Sequence, residues 1–384
     1  MRFASRHIPA LILWFLGLPC LAGADDATAR VRALYDGGEY AKAVELAEAA
    51  AERPADLVLY HGLAQARLER YDRARALLEG GRERFPQDKR FPLELAGVAY
   101  RQKRLRDAGA NLRRALRIDP ADEYGNEFLG SLHLLEGNLP AALKYWNRVG
   151  KPLVQEVAVT PPANLNAVLR ERAIAISGGQ IFTLARLRET ERNLDRLDIF
   201  SSRRIELAPR PDQRYGVTLR LLPNGSLLSG WPGHFLTLAR DLPYEAVHFD
   251  RRNIAARAIN FESLWRWDSN KRRIALQLAG PLRMTPRFGY RAFLDARDEH
   301  WTLTENGQPG GGDLNGLELR RAAFGGDLLV ALTPKLQWTT GLRLANRGFS
   351  NGDGSPEFAG GWSFEQRNEL NYPLLDLPER HIRV

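Results

Sequence analysis

Cysteine is almost absent. The chain has one, Cys20, and it falls inside an apolar leader at the N-terminus. Without that leader there is no disulfide framework, no thiolate metal site and no thiol nucleophile. Catalytic motifs are missing as well. The seven histidines (His7, His61, His133, His234, His248, His300, His381) are scattered, and none stands in an HExxH or comparable metal spacing. There is no GxSxG elbow, P-loop or dinucleotide fingerprint, and Gly310-Gly311-Gly312-Asp313 reads as a hairpin loop rather than a phosphate cradle. These absences argue against an enzyme and against a resident cofactor or metal. Beyond the leader no run of 18 apolar residues occurs. That excludes a helical membrane span and leaves two options: a soluble chain outside the inner membrane, or one that crosses a membrane with β-strands.

The leader, residues 1–24, has the three parts of a secretory signal: basic Arg2 and Arg6, an apolar centre over residues 8–18, and the small residues Ala22-Gly23-Ala24 ahead of Asp25. Cleavage is expected between Ala24 and Asp25. Its apolar stretch is shorter than the roughly 20 residues of a spanning helix, and Leu18-Pro19 before Cys20 lacks the small residues of a lipoprotein signal. The formal charge of +9 drops to +7 without Arg2 and Arg6. The excess is spread over helix faces such as residues 101–106, with no basic run joined to an aromatic platform, so nucleic acid is not an expected partner; anionic lipid or acidic protein segments are.

A rhythm of small residues organises the next stretch. Ala74, Ala108 and Ala142 recur at 34 residues, with Ala43 31 residues ahead of them. Three positions before each stands an apolar residue (Tyr40, Tyr71, Leu105, Leu139), four after it another (Ala47, Leu78, Leu112, Trp146), and a proline closes each unit (Pro54, Pro86, Pro120, Pro152). Twelve positions before the alanine, Gly62, Ala96 and Gly130 repeat a small residue. The pattern resembles the tetratricopeptide repeat, two antiparallel helices brought close by small residues and ended by proline. The resemblance implies four helix pairs over residues 25–152 and a surface that binds peptide segments of a partner protein.

The texture changes after Pro152. Leu153, Val157 and Val159 alternate as a strand; Asn164 can cap a helix with an apolar face of Leu165, Val168, Leu169 and Ala173; Thr183 can cap a second with Leu184, Leu187, Leu194 and Leu197. Arg203, Ile205 and Leu207 alternate, and after a turn so do Tyr215, Val217, Leu219 and Leu221. The expected order over residues 153–223 is β-α-α-β-β. Residues 178–207 resemble the polypeptide-transport-associated (POTRA) domain, whose second helix ends in a leucine-rich phrase matched here by Leu194, Leu197 and Phe200, with Asp198-Ile199 where the family often has glycine. The resemblance implies that client segments add as a strand to the sheet edge, here Arg203, Arg204, Ile205, Glu206 and Leu207.

The remainder alternates over long strands. Ile274, Leu276 and Leu278 oppose Ala275, Gln277 and Ala279; Trp338, Thr340, Leu342 and Leu344 oppose Gln337, Thr339, Gly341 and Arg343; Trp362, Phe364, Leu370 and Tyr372 oppose Ser363, Glu365, Arg367, Glu369 and Asn371. One apolar face against one charged face suits a transmembrane barrel, and tryptophans near strand ends suit its interfacial girdle. A soluble β-sandwich would share the apolar face, with shorter strands. Leu242-Pro243-Tyr244 and Asn253-Ile254 resemble the start of the barrel in the BamA/TamA outer-membrane assembly family. About 140 residues after Tyr244 suffice for only six to eight strands, so the barrel over residues 224–384 is expected to be incomplete and the chain a fragment or a shortened product. Asn346-Arg347-Gly348-Phe349 reads as a strand-end turn.

Together these features describe a multi-domain α plus β protein: a tetratricopeptide-like solenoid, a small β-α-α-β-β module and an antiparallel transmembrane β-barrel. The resemblances imply an outer-membrane protein with its N-terminal domains in the periplasm. It would assist insertion, assembly or export of unfolded outer-membrane or secreted clients, with a periplasmic protein partner on the repeats and outer-membrane lipid around the barrel. A repeat-bearing barrel conduit for polysaccharide or surface-lipoprotein export is the alternative, and would continue the helical solenoid through residues 153–222. A soluble periplasmic scaffold would close a sandwich after residue 244.

Overall fold

The computed structural model describes residues 22–224, 245–302, 304–305, 308–309, 315–350, 359–380 and 382–383. Cys20 and most of the leader, the Leu242-Pro243-Tyr244 phrase, the Gly310-Gly311-Gly312-Asp313 run, and His7, His234 and His381 lie outside the described residues. The chain divides into two compact units between Leu132 and His133.

The first unit is helical: α1 (Ala22–Asp36), α2 (Tyr40–Ala49), α3 (Ala55–Arg67), α4 (Tyr71–Arg84), α5 (Arg90–Arg101), α6 (Leu105–Ile118) and most of α7 (Glu123–Leu135). One turn is used again and again. Gly38, Glu69, Lys103 and Gly137 all have positive φ, between 59° and 79°. Each is followed by a backbone N–H that reaches five residues back, from Glu39, Arg70, Arg104 and Asn138 to the carbonyls of Leu34, Gln65, Ala99 and His133. These positions keep the 31- and 34-residue spacing of the alanines, so the turn is part of the repeat even though only two copies use glycine, the residue that adopts positive φ without cost.

Small residues set how closely the helices approach. A Cβ on Gly62 of α3 would lie 2.8 Å from Leu78 of α4, and one on Gly81 would lie 2.2 Å from the Phe91 ring of α5. Leu78, Phe91 and Leu112 are wholly buried, as are Ala74 and Ala108. Each large side chain buried this way contributes on the order of 1.5–3 kcal/mol. Ala108→Trp is expected to overpack its contact by about 1–3 kcal/mol. A far-UV melting curve whose helical transition keeps its midpoint in this variant would show the register to be wrong.

The second unit opens with α8 (Leu139–Trp146), whose Leu139 and Leu143 join the core of the α/β module rather than a separate helical core. The module runs β1 (Leu153–Thr160), α9 (Ala167–Ala173), α10 (Leu184–Leu197), β2 (Phe200–Pro209) and β3 (Arg214–Pro223). Its sheet has the order β1-β3-β2, with β1 parallel and β2 antiparallel to the central β3. Val217, Leu219 and Leu221 of β3 bury against Leu169, Leu187, Leu194 and Leu197. Thr183 caps α10, accepting from the Arg186 N–H. The cap of α9 is Asn166, which accepts from the Val168 N–H. Asn164 instead gives its carbonyl to the Asn253 side chain, and Val168 points outward, because α9 starts two residues later than the apolar spacing implies.

The larger sheet comprises β4 (Ala246–Ile254), β5 (Ile259–Trp267), β6 (Lys271–Pro281), β7 (Phe288–Thr302), β10 (Asn315–Ala331), β11 (Gln337–Ser350) and β12 (Gly361–Asn371). Two short pairs accompany it, β8 (Thr304–Glu305) with β9 (Gln308–Pro309) and β13 (Asp376–Leu377) with β14 (Ile382–Arg383). All seven long strands pair antiparallel in the order β12-β11-β10-β7-β6-β5-β4. The expected barrel is therefore an open sheet, with β4 and β12 as unpaired edges among the described residues. Closure needs a further strand pairing, and small barrels hold about eight strands. After β12 the chain leaves the sheet: Asp376 meets Arg188 of α10, and Glu379 meets Lys144 and Tyr145 of α8. Asn346-Arg347-Gly348-Phe349 is not a turn either. It pairs with residues 319–322 inside the β10–β11 ladder, which extends β11 past its apolar stretch to Ser350.

Candidate functional site

Three surfaces have the chemistry to engage a partner. The first lies on the face made by the first helix of each repeat. Tyr60, Glu94 and Phe128 occupy equivalent positions 34 residues apart, as do Leu63, Gly97 and Ser131, and all six are only partly buried. A Cβ on Gly97 would meet nothing within 4 Å, so the surface is open there. Aromatic rings gather along it: Tyr35 and Tyr60 with centroids 5.6 Å apart, and Tyr100 edge-on to Phe128 at 5.4 Å. Arg67 donates to the Tyr35 hydroxyl at 3.1 Å, and Arg90 bridges to Asp56 at 2.7 Å. Rings with polar tips beside fixed arginines form a surface that can pack against and hydrogen-bond a peptide.

Burial pushes the Glu94 carboxyl above the ordinary carboxylate range, with Arg67 pulling it back. The folded chain therefore keeps this proton at pH values where the unfolded chain has released it. Ionisation of Glu94 thus subtracts stability as pH rises through that window. Glu94→Gln is expected to raise the melting midpoint at pH 7 and to leave it unchanged below about pH 4, where both forms are neutral. An equal gain at both pH values would show that burial of the charge is not the cause.

The second surface is the edge of the module. β2 lies at the end of its sheet, and Arg203, Arg204, Ile205, Glu206 and Leu207 all belong to it. Ile205 and Leu207 pack on the module core, while Arg203 and Arg204 are exposed. Arg203 pairs with Asp195, and Glu206 with Arg220 on the neighbouring strand at 2.9 Å. Among the described residues nothing pairs with the outer side of this strand, which leaves its backbone groups available for strand addition. Ala24 and Asp25, the expected cleavage point, fall in the first turn of α1.

The third is the large sheet. Register connects Phe249, Ser263, Leu276, Leu294, Phe324, Leu344 and Phe364 as one row across all seven strands. Ser263, its polar member, donates its hydroxyl to the Phe249 carbonyl. Flanking rows on this face expose Trp265, Ile274, Leu278, Leu328, Leu342 and Leu370. The opposite face is charged and internally paired. Arg273 holds Asp295 through two hydrogen bonds of 3.0 and 3.1 Å, Arg291 reaches Asp327 at 2.6 Å, and Gln277 donates to Glu262 at 3.2 Å. Gly341 makes room for Asp327, whose Oδ1 would be 1.9 Å from a Cβ there.

Sequence reasoning missed the seam that fixes this sheet to the module. Asp198, in the left-handed conformation at the end of α10, offers its backbone carbonyl to Arg252 and Asn260 and its carboxylate to Arg252. Asn253, of the Asn-Ile pair, spans from the Asn164 carbonyl to the Ala258 N–H, closing the β4–β5 turn while tying it to the module. Arg172 of α9 reaches the Arg283 carbonyl in the β6–β7 turn, and Arg196 of α10 reaches Gln337 at the start of β11. Only the departure from glycine at Asp198 hinted at this in the sequence.

Residues 59–123 match the tetratricopeptide repeat family. The chain carries tetratricopeptide repeats. Tetratricopeptide repeat proteins bind peptide or protein partners, which suggests partner recruitment by this part of the chain. No curated protein matches the chain. Solved structures similar to part of it include MamA from Desulfovibrio magneticus RS-1, 18% identical over 33% of this chain and 72% of that one, with a TM-score of 0.31. Another is YrrB, a TPR protein with an unusual peptide-binding site, 17% identical over 33% of this chain and 68% of that one, with a TM-score of 0.29. A third is a tetratricopeptide repeat protein from Parabacteroides merdae ATCC 43184, 14% identical over 33% and 52%, with a TM-score of 0.31.

Proposed function

We propose that this chain is an outer-membrane protein that assists insertion, assembly or export of other proteins. Its repeats recruit a periplasmic partner, its α/β module receives unfolded client segments along β2, and its sheet lies in lipid. The observation that carries the reading is the row from Phe249 to Phe364, apolar except for Ser263, in which Phe249, Leu294, Phe324 and Phe364 are exposed, and which is backed by a face of paired charges. In a soluble sandwich that face would be covered by a second layer. No such layer covers it among the described residues, and an apolar surface of this width is a membrane or partner surface. With the β4 and β12 edges paired by further strands, lipid would satisfy the apolar face and water the paired charges of Arg273, Asp295, Arg291 and Asp327.

The secretory leader, with cleavage after Ala24, supports a periplasmic and outer-membrane location. The β-α-α-β-β order over residues 153–223 supports a POTRA-like module, and with the Asn253-Ile254 pair it favours an assembly factor of the BamA/TamA kind over an export conduit. No helix among the described residues is long and apolar enough to cross a membrane.

Arginine at Leu276 is expected to cost roughly 2–4 kcal/mol near the bilayer midplane, whereas arginine at Gln277 stays nearly neutral. Outer-membrane levels of the two full-length variants, measured after fractionation of a Gram-negative host, decide it. Equal loss, or greater loss from Gln277→Arg, sinks the membrane reading. For the client step, a photo-crosslinking side chain at Arg204 on the edge strand is expected to capture an unfolded outer-membrane protein, and one at Arg220 on central β3 is not. Capture at both positions alike would mean that clients do not add to the edge.

A further inference from the structure

The opposite side of the repeats, made by their second helices, carries a feature that partner recruitment through the first helices does not use. A furrow of about 430 Å³ runs between α4 and α6 over the C-terminal half of α5. Six arginines line it: Arg75 and Arg82 from α4, Arg104 just before α6, and Arg113, Arg114 and Arg117 on α6. Only two carboxylates lie among them, Glu79 and Asp107, and Asp107 is paired with Arg104 at 2.5 Å. Arg75 is paired with Asp72 at 3.2 Å. Arg82 bridges to Asn111 across the furrow at 3.5 Å rather than to a carboxylate. No ion pair engages Arg113, Arg114 or Arg117 among the described residues, and all three are exposed.

The floor is different from the walls. Leu95, Val98 and Ala99 form it, all buried, and beside them the Gln102 Oε1 is buried without a hydrogen-bond donor among the described residues. Arginines in rows favour carboxylates or phosphates, since the planar guanidinium donates two parallel N–H bonds to either. The floor distinguishes them. An orphaned acceptor in a narrow furrow is matched by an N–H donor, which a peptide backbone supplies and a fully ionised phosphate does not. The apolar patch likewise suits a side-chain anchor.

We propose that this furrow binds an acidic peptide segment of a partner protein. Its Asp and Glu side chains engage Arg82, Arg113, Arg114 and Arg117, one apolar side chain sits over Leu95 and Val98, and a backbone N–H reaches Gln102. The proposal builds on the partner-recruiting reading of the repeats. It does not depend on the sheet entering a membrane.

The test is fluorescence anisotropy of the full-length chain in mild detergent, using three labelled twelve-residue probes: one of alternating Glu and Leu, its Gln counterpart and its Lys counterpart. The acidic probe is expected to bind best, more weakly as salt is raised, and about tenfold more weakly in the Arg113→Glu, Arg117→Glu double variant. The milder Arg113→Gln, Arg117→Gln pair gives an intermediate loss with an unchanged far-UV spectrum, which separates lost charge from lost fold. Equal binding of the three probes, or of the acidic probe to wild type and the charge-reversed variant, overturns the proposal. So does binding to anionic phospholipid vesicles that depends on Arg113 and Arg117 in the absence of peptide binding. Acidic-probe binding by a chain that fails the Leu276 fractionation test would leave this furrow standing and remove only the membrane reading.

Discussion

An apolar sheet face must be removed from water, and most of the second unit is arranged around that constraint. From Phe249 to Phe364 the outward row offers side chains that a soluble protein would bury. The pleat that puts Leu276 on this face puts Ala275 and Gln277 on the other, so the two faces cannot share one environment. On the charged face the buried carboxylates are paired within the sheet. Asp295 is almost completely buried yet sits between Arg273 and Arg297, and Asp327 fills the space beside Gly341 to meet Arg291. Such pairing satisfies those carboxylates within the sheet itself and leaves the apolar face without a covering layer among the described residues.

A sheet whose two edges are open among the described residues also needs an anchor. It receives one from the module, along its turn-bearing end. Asp198, Asn164, Arg172 and Arg196 hold the β4–β5 turn, the β6–β7 turn and the start of β11. Asp376 and Glu379, beyond β12, meet α10 and α8. Three of these contacts end on backbone carbonyls, those of Asp198, Asn164 and Arg283, and Asn260, buried beside them, donates to the Leu197 carbonyl. The module is therefore the sheet's support, and among the described residues the outer side of its β2 is unpaired.

The repeats work by a different physical device. Gly62, Gly81, Ala74 and Ala108 let helix axes approach until Leu78 and Phe91 fill the remaining space. Once the helices are that close, each side of the array becomes a continuous surface of its own. The first-helix side gathers the rings of Tyr35, Tyr60, Tyr100 and Phe128; the second-helix side is strongly basic between α4 and α6. Two faces of such different chemistry permit two different partners on one short array.

Periodicity alone was enough to determine the helix pairs, the order of the α/β module and the alternation of Ile274, Leu276 and Leu278, because 3.6- and 2-residue repeats are local properties of the chain. The same local logic located the edge segment 203–207 and the cap at Thr183. It failed where long-range contacts choose among local options. Asn166 rather than Asn164 caps α9 because the helix begins at Ala167, with the Asn166 N–H held by the Ala256 carbonyl of the β4–β5 turn. Asn346 to Phe349 stays in a strand because β10 continues beside it. Whether the sheet closes is decided by what its two edges meet, and the arginine furrow exists only because α4 and α6, distant in sequence, are held parallel over α5. Strand and helix periods are written in neighbouring residues; edges, seams and furrows come from packing between segments that the sequence keeps far apart.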